Sequence, residues 1–451
     1  MPRPRASASS LVAVLAVLVG CGGRPPAAPP AGLVLVVVDT WRADRLSIYG
    51  GPAPVPALES LAREGAAFEA AWSHVPATAP SVATVFTSRL PHRHGVRANG
   101  LLRLRDEATT LAEVLSAAGF RTGAVVSSFV LNPRFGLAQG FASFDADFRD
   151  SVLTKQHGGF PFQGRKYPDF EQRADEATDK ALAWLRATRA AASSTPFFLF
   201  VHYFDPHWPY APPPEYQADR HPYDGEVAWT DVQLGRLLAG LRELGVYDAA
   251  LVAVLGDHGE ILDPGPRGSR HGGRLEDAVL HVPLVVRPPG GLARGVRVSA
   301  PVGLVDLSPT LLELLGLPPE PAFEGRSFAG LLAGDAAPPR EVLPFETLYW
   351  KLEAGGGPVL TGARGWDLKY VRRESDGVVV EEMYDTAADP AATHNLLGAG
   401  AGAVAERRAA DLARLREAAE AAAGAGEGTS AAIPLDPAAE ERLRSLGYLT
   451  Q

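Results

Sequence analysis

Short, uninterrupted runs of apolar residues recur along the chain and predict buried β-strands. The clearest run is 33–38, six apolar residues of which four are valine, and it ends on Asp39. Four further segments rich in apolar residues are interpreted as strands: 121–127, 197–203, 249–255 and 282–287. Apolar runs without polar alternation are typical of strands that are covered on both faces of a sheet.

Between these strands, apolar residues recur every three or four positions, which is the spacing of an amphipathic helix. The pattern predicts helices at 57–64, 81–87, 109–118, 174–190 and 226–244. Glycines at 65, 119 and 245 are typical helix ends. Strands that alternate with helices indicate an α/β fold with a mostly parallel central sheet and helices on both faces.

From residue 342 onward the pattern changes. Short strand-like pieces with polar turns, at 359–361, 368–372 and 378–382, predict a small antiparallel sheet. An Ala-, Glu- and Arg-rich segment, 403–423, predicts one helix. The tail 435–451 is expected to dock through four apolar side chains: Leu443, Leu446, Tyr448 and Leu449.

The N-terminus does not belong to the fold. Arg3 and Arg5 precede an apolar run, 11–19, that is too short to span a bilayer and has the length of a signal-peptide core. The run leads into LVGC at 18–21, which resembles the lipobox of bacterial lipoproteins, and Cys21 is the only cysteine. The resemblance implies an exported protein, lipid-anchored through Cys21 to the bacterial cell envelope. An ordinary cleaved signal peptide or a buried thiol is the alternative.

The sequence therefore divides into five parts. They are a lipoprotein signal peptide (1–21), a linker (22–31), a large α/β domain (32–340), a C-terminal α+β subdomain (341–398), and a terminal helix, linker and docking tail (399–451). The net charge is −9, with acidic and basic residues spread along the chain. A nucleic-acid-binding protein would normally show a basic patch, so we expect no nucleic-acid partner.

Acidic and imidazole side chains follow three of the predicted strands at their C-terminal ends. They are Asp39, Asp205, His207, Asp257 and His258. The C-terminal ends of parallel strands meet at one crevice, so these side chains are expected to lie near one another. Carboxylates and imidazoles grouped in this way suit a divalent cation such as Zn²⁺ or Mn²⁺. For Asp39 alone, capping of the following turn is the alternative.

Thr78 is a further candidate. Pro80 suits the first turn of the helix at 81–87, so Thr78 would lie at its N-terminus. Free backbone N–H groups and the helix dipole favour an anion there. A plain N-cap role is the alternative for Thr78.

Together these segments resemble the sulfatase family of the alkaline phosphatase superfamily. The resemblance is carried by VVVDTWRADRLSIYG (36–50), TAPS (78–81), PHRHG (91–95), FDPHWPY (204–210), GDHGE (256–260), VDLSPTL (305–311) and MYD (383–385). It implies that 32–340 is a catalytic domain of the alkaline phosphatase type and that the protein is an ester hydrolase.

The chain departs from the family pattern at the nucleophile. Sulfatases carry Cys or Ser there, within C/S-x-P-S-R, and oxidise it to formylglycine, whereas this chain has Thr78, with Val82 at the arginine position. Threonine is a secondary alcohol and cannot give the aldehyde, so formylglycine is not expected. Thr40 stands where the family has a second aspartate, and its G-K-x-H segment has no counterpart near Ser128.

The resemblance also implies roles for individual residues. One divalent metal, Mn, Zn or Ca, would be held by Asp39, Thr78, Asp257 and His258. The catalytic residues would be Thr78 as nucleophile, with His207 and His271 as contacts or leaving-group acid, and the substrate contacts would be Asn99, Ser128 and Asp205. A second metal would require Asp205, His207 and His271 to converge. The other histidines considered are interpreted as structural or surface residues: His74, His92, His94, His202 and His281.

Three functions remain open at this point. The first is a metal-dependent hydrolase or transferase acting on phosphate esters or phosphonates through Thr78. The second is a sulfuric ester hydrolase that works without formylglycine. The third is a catalytically silent lipoprotein of the same fold, which the losses at Thr40 and Val82 motivate. The substrate would be a small-molecule, lipid or glycan ester, and loops such as 141–167 would form its pocket walls.

Overall fold

The computed structural model describes residues 30–148, 160–162, 165–167, 171–192, 194–217, 221–265, 269–291, 293–335, 340–398 and 406–424, together with Pro437 and Glu440. The predicted signal peptide with Cys21, nearly all of the linker and the apolar side chains of the docking tail lie outside the described residues. None of the helices within the described ranges combines the length and apolar character that crossing a membrane requires.

Nine strands of the described chain form one sheet around β1 (Gly32–Val38). The others are β2 (Ala66–Trp72), β3 (Arg121–Val125), β4 (Ser143–Asp145), β7 (Phe197–Tyr203), β8 (Ala250–Gly256), β9 (His281–Arg287), β10 (Val296–Val298) and β11 (Val302–Gly303). Their order is β10-β2-β9-β8-β1-β7-β3-β4, with β11 beside β2. A separate hairpin pairs β5 (Phe160–Phe162) with β6 (Arg165–Tyr167).

The predicted mostly parallel sheet is confirmed, with one exception. β1 pairs in parallel with both β7 and β8 along its whole length. β9, which the apolar run at 282–287 predicts, lies antiparallel to both β8 and β2. β2 itself was not predicted, because its AAFEAAW sequence is alanine-rich and is interrupted by the exposed Glu69.

Helices cover both faces of this sheet, as predicted. One face packs against α2 (Thr78–Thr87), α4 (Leu111–Ala117) and α8 (Leu307–Leu314). The opposite face packs against α1 (Pro56–Glu64), α5 (Ala174–Ala191) and α6 (Pro222–Glu243). The shorter helices are α3 (Pro91–His94), α7 (Asp277–Leu280), α9 (Ala329–Ala333) and α10 (Tyr349–Leu352). Short 3-10 turns lie at Ala43–Arg45, Ser47–Tyr49, Phe129–Leu131, Pro133–Phe135, Pro214–Tyr216 and Leu304–Asp306.

Alternation along β1 decides which side chains meet which helices. Leu33, Leu35 and Val37 pack with α2, whereas Val34, Val36 and Val38 pack on the other face. All six are buried, and each large apolar side chain contributes roughly 1.5–3 kcal/mol when fully buried. The odd-numbered face of β1 is therefore fixed beneath α2.

A second sheet of four antiparallel strands follows, as predicted, in the described C-terminal part. Its order is β12 (Leu343–Thr347), β13 (Val359–Arg364), β14 (Leu368–Ser375) and β15 (Val378–Asp385). α11 (Ala409–Ala423) packs on it through Leu415 and Ala419. Contacts such as the paired hydrogen bonds from Arg97 to Glu346, at 2.6 and 2.9 Å, fix this sheet against the large domain.

Candidate functional site

Asp39 and Asp257 lie side by side at the ends of β1 and β8. Val38 pairs with Gly256, so each aspartate is the next residue of its strand and lies on the face that carries α2. The Asp39 backbone N–H donates to Tyr203 O (2.9 Å) and that of Asp257 donates to Val38 O (3.2 Å). The backbone of adjacent strands thus fixes both carboxylates.

Thr78 is the first residue of α2, and its side chain is fully buried. Its Oγ1 lies 3.4 Å from both carboxylate oxygens of Asp39 and 3.3 Å from Nε2 of His258. Helix α2 therefore places the Thr78 hydroxyl at the C-terminal end of β1, next to the positive end of the helix dipole.

His258 presents its Nε2 to the same point. Its Nδ1 is 2.9 Å from Gly259 O, which fixes that nitrogen as the donor in the neutral ring. Nε2 then lies 3.7 Å from Asp39 Oδ1 and 3.6 Å from Asp257 Oδ2. Burial lowers the pKa of His258 to about 4, so the ring is neutral near pH 7 and Nε2 carries a lone pair.

These spacings fit a divalent cation. Two ligands at about 2.1 Å from one tetrahedral ion lie about 3.4 Å apart, close to the separations around Thr78 Oγ1. Burial raises the pKa of Asp257 to about 8, and burial with the neighbouring carboxylates of Asp257 and Glu260 raises the pKa of Asp39 well above its usual range. A cation among them would favour the ionised carboxylates.

His202 belongs to the same cluster. From the sequence it is interpreted as a structural or surface histidine and not as a site residue. Asp39, His202 and Asp257 each place one ligand atom within 4.8 Å of the others, and all three are buried. His202 pairs with Val37 across the sheet, so it lies on the face of β7 that carries Asp39 and Asp257 on neighbouring strands. The available signal was a histidine in an otherwise apolar strand.

Asn99 lies beside the first turn of α2. Its Oδ1 accepts a 2.9 Å hydrogen bond from Ala79 N–H, and its own N–H donates to Glu353 Oε1 at 2.9 Å. Its Nδ2 is buried and has no hydrogen-bond partner among the residues the structure describes. An unused amide donor next to Thr78 suits the oxygen of a bound ester.

His207 and His271 lie next to each other. Their Nε2 atoms are 3.2 Å apart, and His207 Nδ1 lies 2.5 Å from Trp208 O. The His271 ring also lies 4.9 Å from that of His258. Burial lowers the pKa of both His207 and His271, the latter to about 3.

The two remaining candidates lie in other contacts. Asp205 Oδ2 accepts the backbone N–H of Ala174 at the start of α5 (2.7 Å), and Thr230 Oγ1 donates to its backbone oxygen. Ser128 is buried, begins the turn Phe129–Leu131 and bridges to Glu171. Of the three residues that a second metal would require, His207 and His271 therefore lie together. The Asp205 carboxylate contacts the start of α5 instead.

The fold and this buried cluster of carboxylates, imidazoles and a helix-borne hydroxyl define an ester hydrolase of the alkaline phosphatase superfamily. Residues 32–317 match the family model described as Sulfatase, and the chain belongs to the sulfatase family. It is 25% identical to the ulvan-active sulfatase of Formosa agariphila over 407 residues, covering 81% of this chain and 77% of that protein. It is 27% identical to human arylsulfatase A over 468 residues, covering 90% of this chain and 89% of that protein.

Solved structures share the fold. A protein in complex with its substrate D-glucosamine-2-N,6-O-disulfate superposes with a TM-score of 0.71 at 18% identity, covering 87% of this chain and 97% of that chain. The phosphonate monoester hydrolase of Agrobacterium radiobacter superposes with a TM-score of 0.69 at 22% identity, covering 86% and 95%.

Proposed function

We propose that this sulfatase-family protein is a metal-dependent hydrolase, or transferase, that cleaves phosphate esters or phosphonates with Thr78 as its nucleophile. The observation that carries the proposal is the position of Thr78 Oγ1, buried at the start of α2 and 3.3–3.4 Å from His258 Nε2 and the Asp39 carboxylate. A threonine that only capped the helix would not need carboxylates and an imidazole around its hydroxyl.

Asp39, Thr78, Asp257 and His258 would hold one divalent metal. When bound, the ion supplies positive charge that lowers the pKa of the Thr78 hydroxyl. The chain's own groups then position the substrate: the Asn99 amide and the first turn of α2 would donate to the ester oxygens, and the buried site would keep bulk water away.

The reaction proceeds in two displacements. Thr78 Oγ loses its proton and attacks phosphorus as the bond to the leaving-group oxygen breaks, and the neutral His207–His271 pair passes one proton to that oxygen and takes up the proton that Thr78 loses. The product is an alcohol and a phosphorylated Thr78. Water then attacks the same phosphorus, which frees Thr78 and releases phosphate or phosphonate; a second alcohol in place of water would make the reaction a transfer.

Sulfuric ester hydrolysis without formylglycine is the second candidate. The curated relatives favour it, since those named above are an ulvan-active sulfatase and an arylsulfatase. Sulfated glycans or aryl sulfates would then be the substrate class. Val82 opposes it, because it puts an apolar side chain where the sulfatase pattern has arginine.

The test compares four nitrophenyl substrates, a phosphate monoester, a phosphate diester, a phosphonate ester and a sulfate ester, in Zn²⁺, Mn²⁺ and Ca²⁺. We expect phosphate or phosphonate turnover that falls by roughly three orders of magnitude in Thr78→Ala and is partly retained in Thr78→Ser. Acid quenching with a radiolabelled phosphate ester should trap label on Thr78, located by peptide mapping.

Thr87→Ala is the matched control, because Thr87 is a buried threonine at the other end of α2 whose hydroxyl donates to Ala83 O. Sulfate turnover that survives Thr78→Ala would contradict both the nucleophile and the phosphoester proposal. Absence of bound metal and of turnover with every substrate, in a folded protein, would favour the silent lipoprotein.

We also propose that the protein is exported and lipid-anchored through Cys21. The support is the signal-peptide pattern and the single cysteine at its end. Metabolic labelling with a radioactive fatty acid should mark the wild-type protein and leave Cys21→Ser unlabelled. Labelling that persists in Cys21→Ser would contradict the anchor without bearing on the active site.

A further inference from the structure

His202 is fully buried at the C-terminal end of β7, one residue before the strand ends. Neither of its ring nitrogens has a hydrogen-bond partner among the described residues. A neutral imidazole has one donor and one acceptor nitrogen, and leaving both unpaired in a protein interior is unfavourable. We therefore expect the His202 ring to bind a further group.

The ring points at the carboxylates. His202 Nε2 lies 3.7 Å from Asp39 Oδ2, too far for a hydrogen bond and suitable for two ligands of one ion. Asp257 Oδ2 is also buried without a hydrogen-bond partner in the described part of the chain. His202, Asp39 and Asp257 form one group in which each residue offers a ligand atom that lies within 4.8 Å of the other two.

We propose that His202 is a metal ligand that coordinates the ion beside Asp39 and Asp257, the two residues with which it forms one group of ligand atoms. This inference rests on the proposed function only in placing the ion at the same site. It deepens that function by naming the metal class: imidazole suits zinc and related transition metals, whereas Ca²⁺ and Mg²⁺ take oxygen ligands. The site thus selects zinc-like ions over Ca²⁺ and Mg²⁺.

The test measures binding, independent of activity. Metal-free full-length protein is titrated with Zn²⁺ and with Ca²⁺ by calorimetry, and with Co²⁺, whose visible absorption reports its ligands. His202→Ala removes the ligand, and His202→Leu removes it while filling most of the space. We expect both variants to lose at least about tenfold in Zn²⁺ affinity and to change the Co²⁺ spectrum, with Ca²⁺ affinity altered by less than about twofold.

His281→Gln is the matched control, since His281 lies on β9 of the same sheet with its Nε2 on Glu69 O. It should bind Zn²⁺ as the wild type does. Circular dichroism confirms that each variant is folded; if His202→Ala unfolds, His202→Leu decides.

The possible outcomes bear differently on this inference and on the proposed function. If Asp257→Asn abolishes Zn²⁺ binding while His202→Ala and His202→Leu bind Zn²⁺ and Co²⁺ unchanged, the His202 assignment is wrong and the proposed function stands. If the wild-type protein binds none of the three ions, both are wrong. Equal losses of Zn²⁺ and Ca²⁺ affinity in the His202 variants would overturn the proposed metal selectivity.

Discussion

The backbone N–H of Thr40 donates a 3.1 Å hydrogen bond to Oδ1 of Asp257, a residue 217 positions further along the chain. The same oxygen accepts the backbone N–H of His258 at 2.7 Å. Two backbone donors therefore hold Oδ1, and the carboxylate turns its Oδ2 toward the cluster around Thr78. Thr40 adopts a φ of 51°, a left-handed conformation that β-branched residues rarely take.

Replacing Thr40 with asparagine should stabilise the protein. Asparagine tolerates the left-handed region better, and Thr40 Oγ1 is buried without a partner among the described residues. We expect the free energy of unfolding of the metal-free protein to rise by about 1 kcal/mol, measured by urea denaturation. An unchanged or lower value would show that the left-handed backbone at Thr40 carries no removable strain.

Replacing Asn99 with aspartate should impair turnover but not metal binding. Aspartate keeps an acceptor for Ala79 N–H, loses the unused amide donor and adds a negative charge where an anionic ester would bind. We expect kcat/KM to fall by about 100-fold while Zn²⁺ affinity stays the same. Asn132→Asp is the control, because the Asn132 side chain accepts Arg134 N–H in an exposed turn. Equal kcat/KM values in the two variants would remove Asn99 from the substrate site.

Replacing His271 with glutamine should affect poor leaving groups most. An alkyl alcohol needs a proton as it departs, whereas nitrophenolate is stable without one. We expect about a 100-fold loss of turnover with an alkyl phosphate and a loss below about tenfold with the nitrophenyl ester. Steady-state rates on both substrates check this, with His281→Gln as reference. A uniform loss across leaving groups would assign His271 to binding instead.

His74 should make the protein sensitive to acid. Its Nδ1 lies 2.6 Å from Pro344 O of β12, and burial lowers its pKa to about 4. In the unfolded chain the histidine has a pKa of about 6.5 and becomes protonated below that pH, whereas in the folded state His74 stays neutral. The contribution of this difference to stability is therefore fully present above pH 6.5 and is lost as the pH falls toward 4. The loss reaches about 3 kcal/mol.

Urea denaturation between pH 7.5 and 4 measures this effect. The pH dependence should become shallower in His74→Gln and stay as in the wild type in His394→Gln, a surface position of the C-terminal subdomain. The same slope in the wild type and in His74→Gln would place the acid sensitivity at other groups.

The sequence predicts the strands β1, β7 and β8 well, because a run such as 33–38 is apolar on both faces and needs no knowledge of its neighbours. It does not predict the antiparallel direction of β9, since an apolar run carries no sign of direction. The strand β2 is not predicted, because its alanines and Glu69 interrupt the apolar pattern. The helices α5 and α4 match their predicted ranges closely, because the apolar spacing and the capping residues that define them lie within the helix segments themselves.

The candidate site is predicted in part for the same reason. Asp39, Asp257 and His258 are visible as polar groups at the ends of apolar runs, and the structure brings them together with Thr78. His202 is hidden inside a run, and only the register of β7 against β1 shows which face it occupies. Asp205 has the same sequence signature as Asp39, yet its carboxylate accepts a backbone N–H of α5, a tertiary contact that no local pattern encodes.

The central position of β1 has a consequence for how an ion is acquired. Asp39, His202 and Asp257 lie on or directly after three strands that are distant in sequence, and they come together only after β7 and β8 have paired with β1 on either side. An unfolded or partly synthesised chain therefore carries no preformed cluster. An ion that binds this cluster would be taken from those present where the chain completes its folding, so the cell compartment would also influence which metal is bound.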